Sequence, residues 1–238
     1  TSVSVVTNTE EKLKYALCDN LLFPKVSIID PEIMMTVPKH ITASTGFDAF
    51  CHAFEGYIHI NSNPYTDSIA LEAISRIIKH LPYLLTDLLN IEARTEMALA
   101  DTYAGLVIAN TGTTLPHGIG MAIGGHAPHV KHGEALAAVY PEFAKYTYKS
   151  SIDKFAKVAR MLNTELKRVD DIKAAELFET EISNFIKKIG MYTTLSKLNV
   201  DKEELENIAN DTMKLPDYSV NPRVPTKEEV YRIIKSVY

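Results

Sequence analysis

The sequence predicts a mainly α-helical protein, a bundle-like helical domain preceded by a two-strand remnant of an α/β unit. Three observations predict it. Apolar residues recur at helical spacing in several long segments after Pro38. Recognisable helix start and stop signals bound those segments. Val- and Ile-rich strand-like runs, in contrast, are confined to the first thirty residues. The expected boundary falls at 38/39, with 1–38 as the α/β remnant and 39–238 as the helical domain.

The opening "TSVSVVT" reads as the middle of a strand, which predicts that further chain precedes Thr1. "SVSVVT" and "KVSIID" are the two predicted strands, with the turn-like "NTEEK" after the first and "DPE" ending the second. Two strands alone do not make a stable sheet, so they are expected to belong to a larger one. Ala70, Ala73, Ile74, Ile77, Ile78 and Leu81 mark a helix that Pro82 should end. Met97, Ala100, Ala104, Val107 and Ile108 mark the next, with Gly112 as its stop. "SIDKFAKVARMLN" places Ile152, Phe155, Ala156, Ala159 and Leu162 on one face. "IKAAELFETEISNFIKKIG" ends on Lys187, Lys188 and Gly190, matched to the helix dipole and to a glycine stop. Thr226 and Glu229 fit a capping box before a last short helix.

Bulk properties exclude several function classes. The 238 residues carry a net charge of -5, and 46% are hydrophobic. Without a basic run, nucleic acid and acidic membrane surfaces are not expected partners. No apolar run has membrane-span length. Two cysteines, Cys18 and Cys51, are too few for a disulfide framework and predict a reducing, cytoplasmic setting. Cys51 is read as a small core residue, and the Tyr-rich "YPEFAKYTYKS" as packing with a kink or helix start at Pro141.

Chemistry concentrates in two places. "GFDAFCHAFEGYIH" sets Asp48, His52 and Glu55 on one helical face. "LPHGIGMAIGGHAPHVKHGEALAAVYP" holds His117, His126, His129 and His132 among glycines, and reads as a glycine-rich loop or short helix followed by a helix starting near His132. One carboxylate (Asp48) and three imidazoles (His52, His117 and His132) would suit Fe(II) or Zn(II) rather than Mg or Ca. The spacing equally allows Asp48 to cap or pair and the histidines to line a surface loop, and that choice stays open at this level. Gly118, Gly120 and Gly124 do not follow a strand and lack the dinucleotide-loop offsets. No G-x-S-x-G elbow and no His-Asp dipeptide occur.

Taken together, "IIDPEIMMTVPKHITASTGFDAFCHAFEGYI", "NPYTDSIALEAI", "LPHGIGMAIGG", "HGEALAAVYP" and "NPRVPTKEEV" resemble the iron-containing (metal-dependent, group III) alcohol dehydrogenase family, over essentially the whole chain. The resemblance implies a dehydroquinate synthase-like helical domain whose metal ligands are Asp48, His52, His117 and His132. It implies NAD(P) bound by an N-terminal α/β domain whose GGGS segment this sequence lacks. Lys14 would be the retained nucleotide contact, a small alcohol or aldehyde the substrate, and a homodimer the assembly. The family's usual proton-transfer histidine falls on Met121, which leaves His126 or His129 as substitute relays. Glu55 and His59 gain no role from the resemblance and are read as supporting or surface residues. A dehydroquinate synthase or glycerol dehydrogenase-like relative and a non-catalytic module with a degenerate metal site are the alternatives. The first is disfavoured because Arg76 and Arg94 are the only arginines between Pro38 and His132.

Overall fold

The computed structural model describes residues 2–238; Thr1, the first residue of the predicted remnant, lies outside the described residues. Strands β1 (Val3–Asn8) and β2 (Leu13–Cys18) form an antiparallel hairpin in which Val3 pairs with Cys18 and Asn8 with Leu13. The second strand is therefore "LKYALC", not "KVSIID". Residues 25–30 have no ladder partner among the described residues, and Val26 and Ile28 are 78% and 89% exposed. Branched apolar content marked a strand there, but a strand also needs a neighbour to hydrogen-bond. Asp30 accepts from the Glu32 amide at 2.9 Å and caps a short helix, α1 (Pro31–Met34), so "DPE" starts an element rather than stopping one.

From Lys39 the fold is helical: α2 (Lys39–Ile58), α3 (Pro64–Leu84), α4 (Ile91–Thr111), α5 (Leu115–His126), α6 (His132–Thr147), α7 (Ile152–Leu162), α8 (Asp171–Lys188), α9 (Leu205–Thr212) and α10 (Lys227–Ser236). Asn63 caps α3 through the Tyr65 and Thr66 amides, and Thr226 and Glu229 form the expected capping box. Gly112 (φ 88°) and Gly190 (φ 74°) follow α4 and α8 in backbone conformations that suit glycine. Pro82 lies inside the last turn of α3 instead of before its end, and Pro141 sits within α6.

Helix α2 is the axis of the domain. Phe47, Phe50 and Phe54 form a fully buried stripe at i, i+3 and i+7. Phe54 stacks on Phe178 of α8 (4.7 Å) and meets Phe155 of α7 edge-on (5.1 Å); Phe50 packs on Phe185 (5.7 Å), and Tyr140 of α6 closes against Phe47 (5.5 Å). Each such aromatic pair adds about 0.5–1.5 kcal/mol beyond its area burial. Cys51 is fully buried beside this stripe, as expected of a core thiol, and Cys18 is exposed; both are free. The chain enters α2 under Arg94 of α4, whose guanidinium donates to Val37 O (3.1 Å), Thr42 Oγ1 (2.9 Å) and Leu88 O (3.1 Å). No helix among the described residues is long and apolar enough to cross a membrane.

Candidate metal centre

The stripe Asp48, His52, Glu55 runs one residue, or about 100°, around α2 from the aromatic stripe. The core thus fixes the polar face: burying Phe47, Phe50 and Phe54 forces these side chains toward α5 and α6. His117 stands in the first turn of α5, and His132 opens α6. The start of α6 lies against α2 because Gly133 has no side chain: a Cβ there would sit 2.2 Å from the Ser44 carbonyl oxygen.

Three imidazoles converge on one oxygen. The Nε2 atoms of His117, His52 and His132 lie 3.4, 3.7 and 3.9 Å from Asp48 Oδ1. Asp48, His52 and His117 each offer a ligand atom within 4.8 Å of the others, and His132 flanks this trio. Asp48 Oδ1, His117 Nε2 and His132 Nδ1 are buried without a hydrogen-bond partner. Buried polar atoms are rarely left so. Three ring nitrogens facing one carboxylate oxygen fit a borderline divalent cation such as Fe(II) or Zn(II).

Glu55 is fully buried, not a surface residue, and it orients the site from behind. Its Oε1 lies 2.8 Å from His117 Nδ1, and its Oε2 accepts from the Thr114 amide (2.8 Å) and hydroxyl (3.2 Å) at the start of α5. An ionised carboxylate only accepts, so Nδ1 carries a hydrogen toward Glu55, and Nε2 is the ring nitrogen left to face Asp48. His59 is also buried; its Nδ1 accepts from the Asn61 amide (3.0 Å) and closes the end of α2. Thr113 Oγ1 donates to Asp217 (2.6 Å), pinning the loop before α5 to the segment 216–220.

The electrostatics follow from burial and mutual contact. Burial pushes His52 down to about 4 and His132 down to about 3, against the pull of Asp48, so both rings are neutral near pH 7. Burial opposes ionisation of Asp48, but His52 and then His117 and His132 hold it below the usual carboxylate range. Burial also opposes charge on His117, yet Glu55 and Asp48 raise it to about 10. Burial, and then the Asp48 charge working the other way, leave the Lys14 ammonium below its ordinary value. Its stem would touch a Cβ added to Gly124 of α5 at 3.1 Å, and its charge is felt by His132. Lys14 of the hairpin thus packs against α5 at Gly124.

The structure brings Asp48, His52, His117 and His132 together, places Lys14 against Gly124 of α5, and leaves His126 and His129 apart. His126 lies nine residues beyond His117 on α5, about 13 Å along the helix. Its Nδ1 faces Glu204 Oε2 (2.8 Å) and its Nε2 faces Asp211 Oδ2 (2.9 Å). His129 Nε2 donates to Leu198 O (3.0 Å). Both expected relays are thus engaged in joining α5 and its following loop to the C-terminal part of the chain. Met121 is buried. Arg76 pairs with Glu72 and Glu96, and Arg94 with backbone carbonyls and Thr42, so neither arginine is free for a phosphorylated substrate.

Comparison with known proteins agrees with this geometry. The model of the Fe-containing alcohol dehydrogenase family, C-terminal, matches residues 42–238. The chain is 30% identical over 236 residues to the NAD-dependent methanol dehydrogenase of Bacillus methanolicus, covering 99% of this chain and 62% of that protein. It is 32% identical over 234 residues to the 1,3-propanediol dehydrogenase of Klebsiella pneumoniae, covering 98% and 60%. Among solved structures, the H277A mutant of an archaeal halo-thermophilic Red Sea brine pool alcohol dehydrogenase superposes with a TM-score of 0.95 at 31% identity, covering all of this chain and 60% of that one. A 1,3-propanediol oxidoreductase gives a TM-score of 0.94 at 32% identity, covering 100% and 62%. The chain spans about three fifths of the length of these relatives. On its family match, it belongs to the Fe-containing alcohol dehydrogenase family, whose C-terminal region its helices represent.

Proposed function

We propose that this chain is the metal-binding, substrate-side portion of an NAD(P)-dependent alcohol dehydrogenase. It would take part in the interconversion of a small alcohol with its aldehyde or ketone. Asp48, His52, His117 and His132 would hold Fe(II) or Zn(II). The carrying observation is the convergence of three imidazole Nε2 atoms on the buried, unpartnered Asp48 Oδ1. When bound, the metal supplies a Lewis acid for the alcohol oxygen, and the nicotinamide ring accepts the hydride.

The chain's own residues prepare that site. Glu55 fixes the tautomer and rotation of the His117 ring, and Gly133 sets the approach of His132. Lys14 brings a positive charge from the hairpin, where it would meet the nucleotide. Residues 1–38 would be the remnant of the nucleotide-binding domain and 39–238 the metal-binding domain. The uncovered apolar side chains of the hairpin and its connection support this, with Leu21, Ile28 and Ile33 exposed at 92%, 89% and 70%.

Metal titration tests the reading. Chelator-treated chain is expected to take up one equivalent of Fe(II) or Zn(II), and Asp48→Ala or His52→Ala to abolish uptake while circular dichroism stays unchanged. A wild-type chain with no affinity for either ion would overturn it. The chain alone is expected not to oxidise simple alcohols with NAD(P); turnover would contradict the proposed division of labour.

A further inference from the structure

Only Gly112, Thr113 and Thr114 separate α4 from α5, and a different part of the fold holds each of them. Gly112 bonds its amide to Ile108 O (2.8 Å) at the end of α4, in a backbone conformation (φ 88°) that suits glycine. The His59 ring stands behind it, with Nε2 3.5 Å from where a Cβ would lie. Thr113 donates its hydroxyl to Asp217 Oδ1 at 2.6 Å. Thr114 gives its amide and hydroxyl to Glu55. His117 follows within one turn, its own amide bonded to Thr114 O (3.1 Å). Where His117 stands is therefore decided by how these three residues are fixed.

Asp217 is the distant member of this arrangement. It lies 104 residues after Thr113, in the turn Pro216–Val220. Among the described residues it forms no hydrogen bond or ion pair with the four ligands. Asp217 is buried, and a buried carboxylate needs a donor. The Thr113 hydroxyl supplies one at the length of a charge-assisted bond. A second contact lies just past the ligand. Gly118 directly follows His117, and a Cβ on it would stand 3.2 Å from Asp217 Cβ. Asp217 thus braces the start of α5 on both sides of His117, at Thr113 and at Gly118.

We propose that Asp217 is a positioning residue of the metal site: through Thr113 it fixes the first turn of α5 and so holds His117 Nε2 toward Asp48 Oδ1. The assignment rests on the metal-site reading above. It links metal binding to the C-terminal part of the chain, and such a link works both ways. Loss of the Asp217 contact weakens metal binding, and bound metal steadies the turn that carries Asp217. Contacts along a coupled chain of this kind change affinity about two- to thirtyfold.

The test titrates the chain with Co(II), whose visible bands report both uptake and ligand geometry. Asp217→Ala is expected to bind Co(II) about two- to thirtyfold more weakly and to shift those bands. Asp217→Asn keeps an oxygen that accepts from Thr113 and should behave as wild type, as should Thr113→Ser. Thr113→Val should resemble Asp217→Ala, and the double variant should lose no more than either alone. Ile182→Ala, which opens the core at fully buried Ile182 of α8, should lower the melting temperature but leave affinity and bands unchanged. In the wild-type chain, Co(II) should slow hydrogen exchange of the amides at 217–220, a reading that needs no substitution. Normal wild-type uptake with unchanged affinity and bands in Asp217→Ala, with the same loss in Ile182→Ala, or with no slowing at 217–220 would overturn the Asp217 assignment alone. A wild-type chain that takes up no Co(II) would overturn the metal-site reading instead, and the assignment with it.

Discussion

Glu55 Oε1 lies 2.8 Å from His117 Nδ1, and both side chains are buried. This contact couples the core of α2 to the first turn of α5, because the same carboxylate also receives the Thr114 amide and hydroxyl. One residue therefore positions a helix start and sets which ring nitrogen of His117 faces Asp48. Glu55→Gln keeps the shape but can offer an amide N–H to Nδ1, favouring the opposite tautomer. Outer partners of this kind are worth about 10- to 100-fold in metal affinity. Calorimetric titration of Glu55→Gln with Zn(II) should show a loss in that range, with the helical circular dichroism signal retained. Wild-type affinity in this variant would rule out the orienting role.

Gly133 gives a steric prediction. Its missing Cβ would lie 2.2 Å from Ser44 O and 2.7 Å from Ser44 Oγ. Gly133→Ala must push α6 away from α2 and carry His132 off with it. Overpacking of this kind costs about 1–3 kcal/mol. Thermal unfolding should show the lowered stability, and metal affinity should fall as well. A variant with the wild-type melting temperature and affinity would show that the α2–α6 approach is not tight.

The hairpin should loosen in acid. Lys12 Nζ bonds Glu204 Oε1 at 2.5 Å, and the other carboxylate oxygen faces His126. The Lys12 bond first, then Asn207, pull the Glu204 carboxyl from its ordinary 4.5 to about 2. A carboxylate depressed in the folded state contributes stability above its unfolded value, and this is lost as pH falls toward the folded one. The window is thus about pH 4.5 down to 2. NMR signals of the amides in Val3–Asn8 and Leu13–Cys18 should change through that window before those of α2 do. Glu204→Gln should show the loosened hairpin already at pH 7. A hairpin spectrum unaltered by acid and by the substitution would dismiss this contact as its anchor.

Phe54 tests what holds the polar stripe in place. It is fully buried and packs against Phe178, Phe155 and Phe50. Phe54→Ala should cost about 3–5 kcal/mol. Denaturant melts should shift to that extent. A cost below about 1 kcal/mol, the scale of an ordinary surface change, would mean that the aromatic stripe does not fix the rotation of α2.

The helices were legible because their signals are local. The apolar spacing of Ala70 to Leu81, the glycine stops and the Thr226–Glu229 box each act within a few residues. The second strand was not, because pairing is decided by a neighbour: "LKYALC" lacks the branched content of "KVSIID" but has β1 beside it. Pro82 misled for a related reason. Loss of one amide in a last turn is tolerated, since Leu85 N still bonds Leu81 O. At the site, Asp48 and His52 share a helical face and so could be paired from spacing. Their meeting with His117 and His132 depends on the close packing of α2, α5 and α6, which spacing does not contain. Glu55 carried a usable signal, the i, i+7 offset from Asp48 in an apolar stretch, but its partner is 62 residues away. His126 and His129 drew attention by density in sequence. Their carboxylate and carbonyl partners, Glu204, Asp211 and Leu198, all lie in the C-terminal part of the chain.

The most direct measurement is anomalous diffraction from crystals of the chain soaked in Zn(II), recorded on both sides of the zinc edge. The expected result is one strong anomalous peak among Asp48 Oδ1 and the facing nitrogens of His52, His117 and His132, absent in crystals of Asp48→Ala. A fully soaked crystal with no peak there, or with its strongest peak elsewhere on the chain, would contradict the assignment of these four residues.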